Sequence, residues 1–273
     1  MPDASPAEPE AAPRTNDRSL IRFVATLVIL AWVLRSLIVA PFSIPSGSMQ
    51  PTMAIGDYLF VAKWPYGFSR YSFPQQIPSF DGRVLGRLPD RGDVVIFKRP
   101  DASGQDWVKR VIGLPGDTVS VSGGVVFLNG RAITRQSIAP VRMTYSPNSP
   151  CRAAPGAVLQ QANGSCDYPA YRETLPGGRS YVVFDQLQGG PGDDRATVTV
   201  PAGQLFLMGD NRDDSLDSRF TLEEGGIGLV PVDRLVGRAV FAFWSTDGSA
   251  SYWKPWTWFS ALRFKRIGTS YQP

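Results

Sequence analysis

Val125-Val126-Phe127-Leu128-Asn129-Gly130 is the run that decides the fold class. Four apolar residues of strand length end in Asn-Gly, the dipeptide that supplies the two positive-φ positions of a type I′ hairpin turn. Outward from it, runs of similar length recur at 58–62, 93–97, 108–112, 119–121, 197–200, 205–208 and 235–243. Most are bounded by Gly, Pro, Asp or Asn, and several alternate apolar with polar. The 27 glycines and 24 prolines exceed the usual combined share of about 12%. Turns between short strands use such residues, and helical bundles do not. An all-β ectodomain is expected, in two β subdomains.

One segment breaks this pattern. Residues 20–40 are apolar apart from Arg22, Thr26, Arg35 and Ser36. As a helix they span roughly 31 Å, the thickness of a bilayer core. Pro41 is expected to stop that helix. Arg14, Arg18 and Arg22 place the N-terminus in the cytoplasm, so that the bulk of the chain lies outside. Two other readings stay open. A cleaved signal peptide conflicts with Ile38 at the first small position and with Pro41 after the scissile bond. A buried soluble helix is the second, because the charge-free stretch 23–34 is short. Residues 1–19, rich in Pro, Ala and Glu, read as a disordered cytoplasmic tail.

The remainder divides by texture. Segments 41–117 and 201–250 carry the clearest strands and make the main β domain, with 118–200 an inserted second β subdomain. Within it, 138–194 is rich in Pro, Ser, Gly and Gln and reads as less regular. Cys151 and Cys166 lie there with 14 residues between them, and outside the cell a disulfide is their natural use. Two unpaired thiols are the alternative. Segment 251–273 holds three of the seven tryptophans, Trp253, Trp256 and Trp258, followed by Arg263, Lys265 and Arg266. It is either a strand end packed on the core or an interfacial membrane contact.

The chain has no histidine, which excludes Ser-His-Asp and Cys-His hydrolases and any zinc site needing imidazole. Two cysteines are too few for a cysteine metal site and do not form a C-x-x-C pair. A net charge of +4 with 19% charged residues gives no nucleic-acid signature. A nucleophilic hydrolase without histidine needs a lysine held neutral by burial. Ser46 and Ser48 stand on a loop pinned by Pro45 and Pro51, where Gly47 is expected to adopt a conformation closed to other residues. A plain Pro-Ser-Gly turn fits the same residues. Lys109 alternates onto one strand face with Trp107 and Val111, where burial would lower its pKa. An edge-strand lysine in water fits equally well. The stretch 208–219 is either a solvated turn or an ion-paired loop that brings Ser215 to the site.

In this order, after one apolar span, Pro45-Ser46-Gly47-Ser48-Met49, Arg91 to Phe97, Lys109 to Asp117 and Gly209 to Arg219 resemble the ordered boxes of bacterial type I signal peptidase. The resemblance covers 41–117 and 204–242, with the insertion as the family's variable second domain. It implies Ser48 as nucleophile and Lys109 as general base, with Ser46 and the Ser48 N–H as the oxyanion hole. It implies that Ser215 orients the lysine, supported by an Asp217–Arg219 ion pair. Phe42, Ile44, Met49, Trp107 and Val108 would line pockets for the small side chains of a small-x-small site, the substrate binding as an added strand. The expected partners are signal peptides of exported preproteins and membrane lipid, with no cofactor and no metal. The expected location is the bacterial inner membrane, single-pass, with the catalytic domain outside. Asp214 replaces the family's usual Asn, 221–228 is longer than usual, and some members have a second span. A peptidase dedicated to one pilin, which would be shorter, and a catalytically dead β adaptor are the other readings. A Ser-x-x-Lys acyl transferase fails because the third residue after Ser48 is Pro51.

Overall fold

The computed structural model describes residues 17–251 and 253–271, so the expected tail up to residue 16 and Tyr252 lie outside the described residues. Helix α1 (Asp17–Val33) already includes residues 17–19, and a π-helical stretch (Leu34–Ile38) continues it. Strand β1 (Val39–Ser43) follows with no linker. Pro41 therefore does not end the helix. It sits within β1, at the edge of the sheet opposite Phe60, where a missing N–H is tolerated. The window Ser19–Ile38 is long and apolar enough to cross a membrane, with mean hydropathy 2.0.

The next strands are β2 (Asp57–Ala62), β3 (Val94–Lys98), β4 (Asp106–Gly113), β5 (Thr118–Ser122), β6 (Val125–Leu128) and β7 (Arg131–Ala132). Then come β8 (Thr134–Thr144), β9 (Gln160–Ala162), β10 (Ser165–Thr174) and β11 (Ser180–Phe184). β12 (Arg195–Thr199), β13 (Gln204–Met208), β14 (Val230–Pro231) and β15 (Leu235–Ser245) complete them, and a short α2 (Thr257–Ser260) follows. Seven strands form one antiparallel sheet in the order β1-β2-β15-β3-β4-β13-β14. The insertion between β4 and β13 makes two further sheets, β11-β10-β8 with β9 on β10, and β12-β5-β6-β7.

β3 shows why this sheet is central. Val94 and Ile96 pack into one apolar cluster with Met49, Met53, Leu59 and Val61, while Val95 and Phe97 pack into another with Val111, Leu205 and Leu235. A strand buried on both faces reads as an unbroken apolar run. Ile227, from the long 221–228 segment, is buried in that second cluster, so the added residues plug a core. At the turn between β6 and β7, Asn129 and Gly130 have φ +53° and +74°, as a type I′ turn requires.

The insertion is more regular than its composition suggests. β8 and β10 are long paired strands, and the register shift between Tyr168 and Ala170 sets the single Pro169 against two residues of β8, Ala139 and Pro140. Cys151 and Cys166 are joined by a disulfide with Cα atoms 6.0 Å apart. A third cluster holds Ile112, Phe206 and Met208 of the main sheet together with Val126, Leu128, Tyr181 and Val183, so insertion and main sheet share one core. The C-terminal segment is fastened to the main sheet by the buried Asp57. Its carboxylate accepts from Arg266 (2.6 Å) and Tyr271 (3.1 Å), and Arg263 lies 3.7 Å away. Arg263 and Arg266 are thus committed to a protein carboxylate, contrary to their expected place on lipid.

Candidate active site

β1 delivers the chain into the Pro45–Pro51 loop, which is anchored from below. Met49 and Met53 are both fully buried, and the Met53 N–H donates to the Met49 carbonyl (2.9 Å). Met49 accordingly packs in the core and does not line the cleft. Gly47 is not in the left-handed region; its value is space, since a Cβ there would lie 3.1 Å from Gln50 Oε1 and 3.2 Å from Asp214 Oδ2. The loop is tied to its neighbour by the Asn211 N–H, which donates to the Ser48 carbonyl (3.0 Å).

Lys109 reaches this loop from β4, in mid-sheet opposite Val95. It is only 2% exposed. Its Nζ donates to Ser48 Oγ (2.8 Å) and to the Val108 carbonyl (3.1 Å), and lies 5.1 Å from the centre of the Trp107 ring. Burial lowers its pKa to about 8, against the opposing pull of Asp217, Asp210 and Asp214. The Ser46 hydroxyl lies 3.4 Å from Ser48 Oγ. The Ser48 N–H donates to no group among the described residues.

Ser215 departs from its expected part. Its hydroxyl is buried against Gly209, without a hydrogen-bond partner among the described residues, and the Lys109 amine is taken up by Ser48 and the Val108 carbonyl. A Cβ at position 209 would collide with the Ser215 side chain and, at 2.6 Å, with the Ser48 carbonyl. Asp217 and Arg219 do pair, through Nε–Oδ1 (2.9 Å) and Nη2–Oδ2 (3.0 Å), and Asp217 also accepts from the Gly209 N–H (2.9 Å). Behind them stand two buried pairs that sequence reasoning missed. Arg110 binds Asp210 through two contacts of 2.8 and 2.6 Å. Arg212 binds Glu173 of the insertion at 2.8 and 2.5 Å. Arg110 and Asp210 stand inside motifs already quoted. Glu173 carries no local signal.

A cleft of about 1040 Å³ runs over the serine and lysine. Phe42, Ile44, Trp107 and Val108 line it, and so do Ala154, Pro155, Leu187 and Pro191 of the insertion. Asp214 lies at its wall, where burial raises its pKa against the pull of Arg152 and Lys109. Among the described residues one acidic trio, Asp185, Asp193 and Asp213, is close enough to share a cation. Arg135 already pairs with Asp185.

Residues 18–244 match the family model described as signal peptidase, peptidase S26. The signal peptidase I of Rickettsia typhi is 35% identical over 262 residues, 88% of this chain and 89% of that one. That of Rickettsia conorii is 34% identical over 264 residues, 89% of each. A signal peptidase I crystal structure from Enterococcus faecalis is 26% identical with a TM-score of 0.30, covering 56% of this chain and 97% of that one.

Proposed function

The chain belongs to the signal peptidase family, peptidase S26, serine peptidases that cleave signal peptides, and from that premise we propose a membrane-anchored endopeptidase working through Ser48 and Lys109. The observation that carries this reading is the 2.8 Å contact between Lys109 Nζ and Ser48 Oγ in a buried, histidine-free site. When the amine is neutral, the contact reverses and the Ser48 O–H donates to it. Ser48 Oγ then attacks the scissile carbonyl while its proton passes to Lys109. The oxyanion is held by the Ser46 O–H and the Ser48 N–H. As the C–N bond breaks, Lys109 returns the proton to the departing amine, leaving the signal peptide esterified to Ser48. Water then attacks that ester, with Lys109 again taking and returning the proton. The Asp217–Arg219 pair holds the loop that carries Ser215, whose hydroxyl would take part only if it turned towards Lys109 once Ser48 is acylated.

Phe42, Ile44, Trp107 and Val108 form the shallow apolar wall that takes the small residues before the cut, and β1, an unpaired edge, is the strand the substrate extends. α1 anchors the enzyme, its N-terminus in the cytoplasm and the cleft on the outer side of the bacterial inner membrane. Segments 41–117 and 201–250 act as the catalytic domain and 118–200 as its inserted partner. A generic preprotein is expected to be cut by the wild type and left intact by Ser48→Ala. Ser46→Ala is expected to keep its fold and lose on the order of 10²–10³ in kcat, the value of one oxyanion donor. Unchanged kcat in Ser46→Ala would remove that residue from the mechanism.

The C-terminal segment supplies a second lipid contact. Trp253, Trp256 and Phe259 are 92%, 70% and 74% exposed, and Lys254 and Lys265 beside them are exposed as well. Indoles beside lysines suit the headgroup layer. In vesicles with brominated lipid tails, Trp253→Ser/Trp256→Ser should lower the quenched fraction of tryptophan emission. An unchanged fraction would leave this surface in water.

A further inference from the structure

Lys63 is a buried cation that the peptidase chemistry leaves unused. It follows β2, and its N–H donates to the carbonyl of Ile38, the last residue of the helical stretch (3.0 Å). The side chain is 4% exposed, its Nζ donates to the Ser72 carbonyl (3.1 Å), and the Phe42 ring centre lies 5.8 Å away. Among the described residues it forms no ion pair. Asp106, the one acid acting on it appreciably, is bound to Lys98 at 3.0 Å. Burial lowers the Lys63 pKa to about 8, with Arg35, Lys98 and Arg83 lowering it further against Asp106. A buried ammonium without a counter-ion is costly, and an anion bound beside it would offset that cost.

Beside it is a pocket of about 230 Å³, distinct from the catalytic cleft, lined by Lys63, Arg35, Lys98, Ser72 and Gln76. Its three cations face one carboxylate, Asp106. Phe73, also in its wall, stacks on Trp32 of α1 at 5.9 Å. The pocket thus opens where the helix passes into the sheet, at the depth of lipid headgroups if α1 spans the bilayer. We infer that it binds the phosphate of an anionic phospholipid, with Lys63 and Arg35 as charge-assisted donors. The inference rests on the membrane-spanning reading of α1. A phosphodiester there supplies the counter-ion Lys63 lacks, and a lipid is favoured over a free anion because Arg35 of the lining belongs to the apolar helical segment and Phe73 of the lining stacks on Trp32 of that segment. Arg35, Phe42 and Asp106 line both this pocket and the catalytic cleft, so an occupied site lies directly beside the substrate.

The test uses full-length protein in a nonionic detergent, titrated with dihexanoyl phosphatidylglycerol, dihexanoyl phosphatidylcholine and inorganic phosphate, with binding followed by calorimetry. Saturable binding of the phosphatidylglycerol is expected, at least tenfold tighter than either other probe. Lys63→Gln and Arg35→Gln, each checked for folding by circular dichroism, should each weaken it tenfold or more. Arg35 is exposed, so its variant keeps the test open if Lys63→Gln misfolds. Equal affinity in folded variants and wild type, or equal affinity for phosphatidylcholine, overturns the site. Inorganic phosphate binding as tightly as the lipid overturns the lipid assignment in favour of a free anion. The membrane reading fails separately, by release of the protein from membranes at alkaline pH.

Discussion

Lys109→Arg is expected to be as inactive as Lys109→Ala, each losing on the order of 10⁴-fold or more in preprotein cleavage. Arginine preserves the charge but does not give up its proton in this pH range, so it cannot serve as a base. The wild type should show a matching pH dependence. Lys109 is charged below its pKa and neutral above it, and burial has brought that value down to about 8 from an ordinary 10.5. Activity therefore rises with pH along a limb centred near 8. Asp214, where the family usually has Asn, pulls the Lys109 pKa upward. Asp214→Asn should accordingly move the limb to lower pH, so the variant is relatively more active under mildly acidic conditions. Near-wild-type cleavage by a folded Lys109→Ala protein would end the Ser-Lys reading. An unmoved limb in Asp214→Asn would free the lysine from that charge.

Glu173→Ala should destabilise the ectodomain by about 3–5 kcal/mol, the usual cost of stripping one partner from a buried ion pair. For a domain of this size that is a fall in Tm of roughly 10 °C. Glu173 accepts two contacts from Arg212 and one from the Tyr181 hydroxyl (3.0 Å), so its loss strips a buried guanidinium of its carboxylate and a buried phenol of its acceptor. Replacing both members, as in Glu173→Leu/Arg212→Met, should recover much of the loss, because a well-packed apolar pair carries no desolvation cost. Arg212 also donates to the Gly209 carbonyl (3.2 Å) and opens the turn that ends at Ser215, so kcat/KM should fall with stability in the single variant. Thermal unfolding of the three proteins in detergent decides it. A Tm within a degree or two of wild type for Glu173→Ala would show that the pair does not join insertion to site.

The strands of the main sheet were legible because burial on both faces forces unbroken apolar runs such as Val94 to Phe97. β8 and β10 were not, because one is largely exposed and both carry prolines that are tolerable only at an edge or a register shift. The serine and lysine stood out once histidine was absent, since few other side chains could take the proton. The place of Met49 is not legible, because its neighbour Ser48 faces the cleft while it points into the core, a difference of one residue along a loop with no fixed period. In sequence Arg263 and Arg266 resemble a membrane contact, because a basic cluster at a chain end reads as one until Asp57, some two hundred residues earlier, is brought beneath it. Ion pairs across such separations leave no trace in local composition.

The junction at Ile38 and Val39 has no residue to spare. With α1 in a bilayer, as proposed above, the ectodomain would have no tether on which to rise or swing, and Ser48 would ride at a set height above the lipid. The thickness of the membrane would then help to set where the chain is cut. A thinner bilayer would then lower the serine relative to an emerging signal peptide, a thicker one would raise it, and the bond that meets the serine would shift accordingly. Flexible residues spliced between 38 and 39 would uncouple the two and let the same catalytic groups cut at scattered positions.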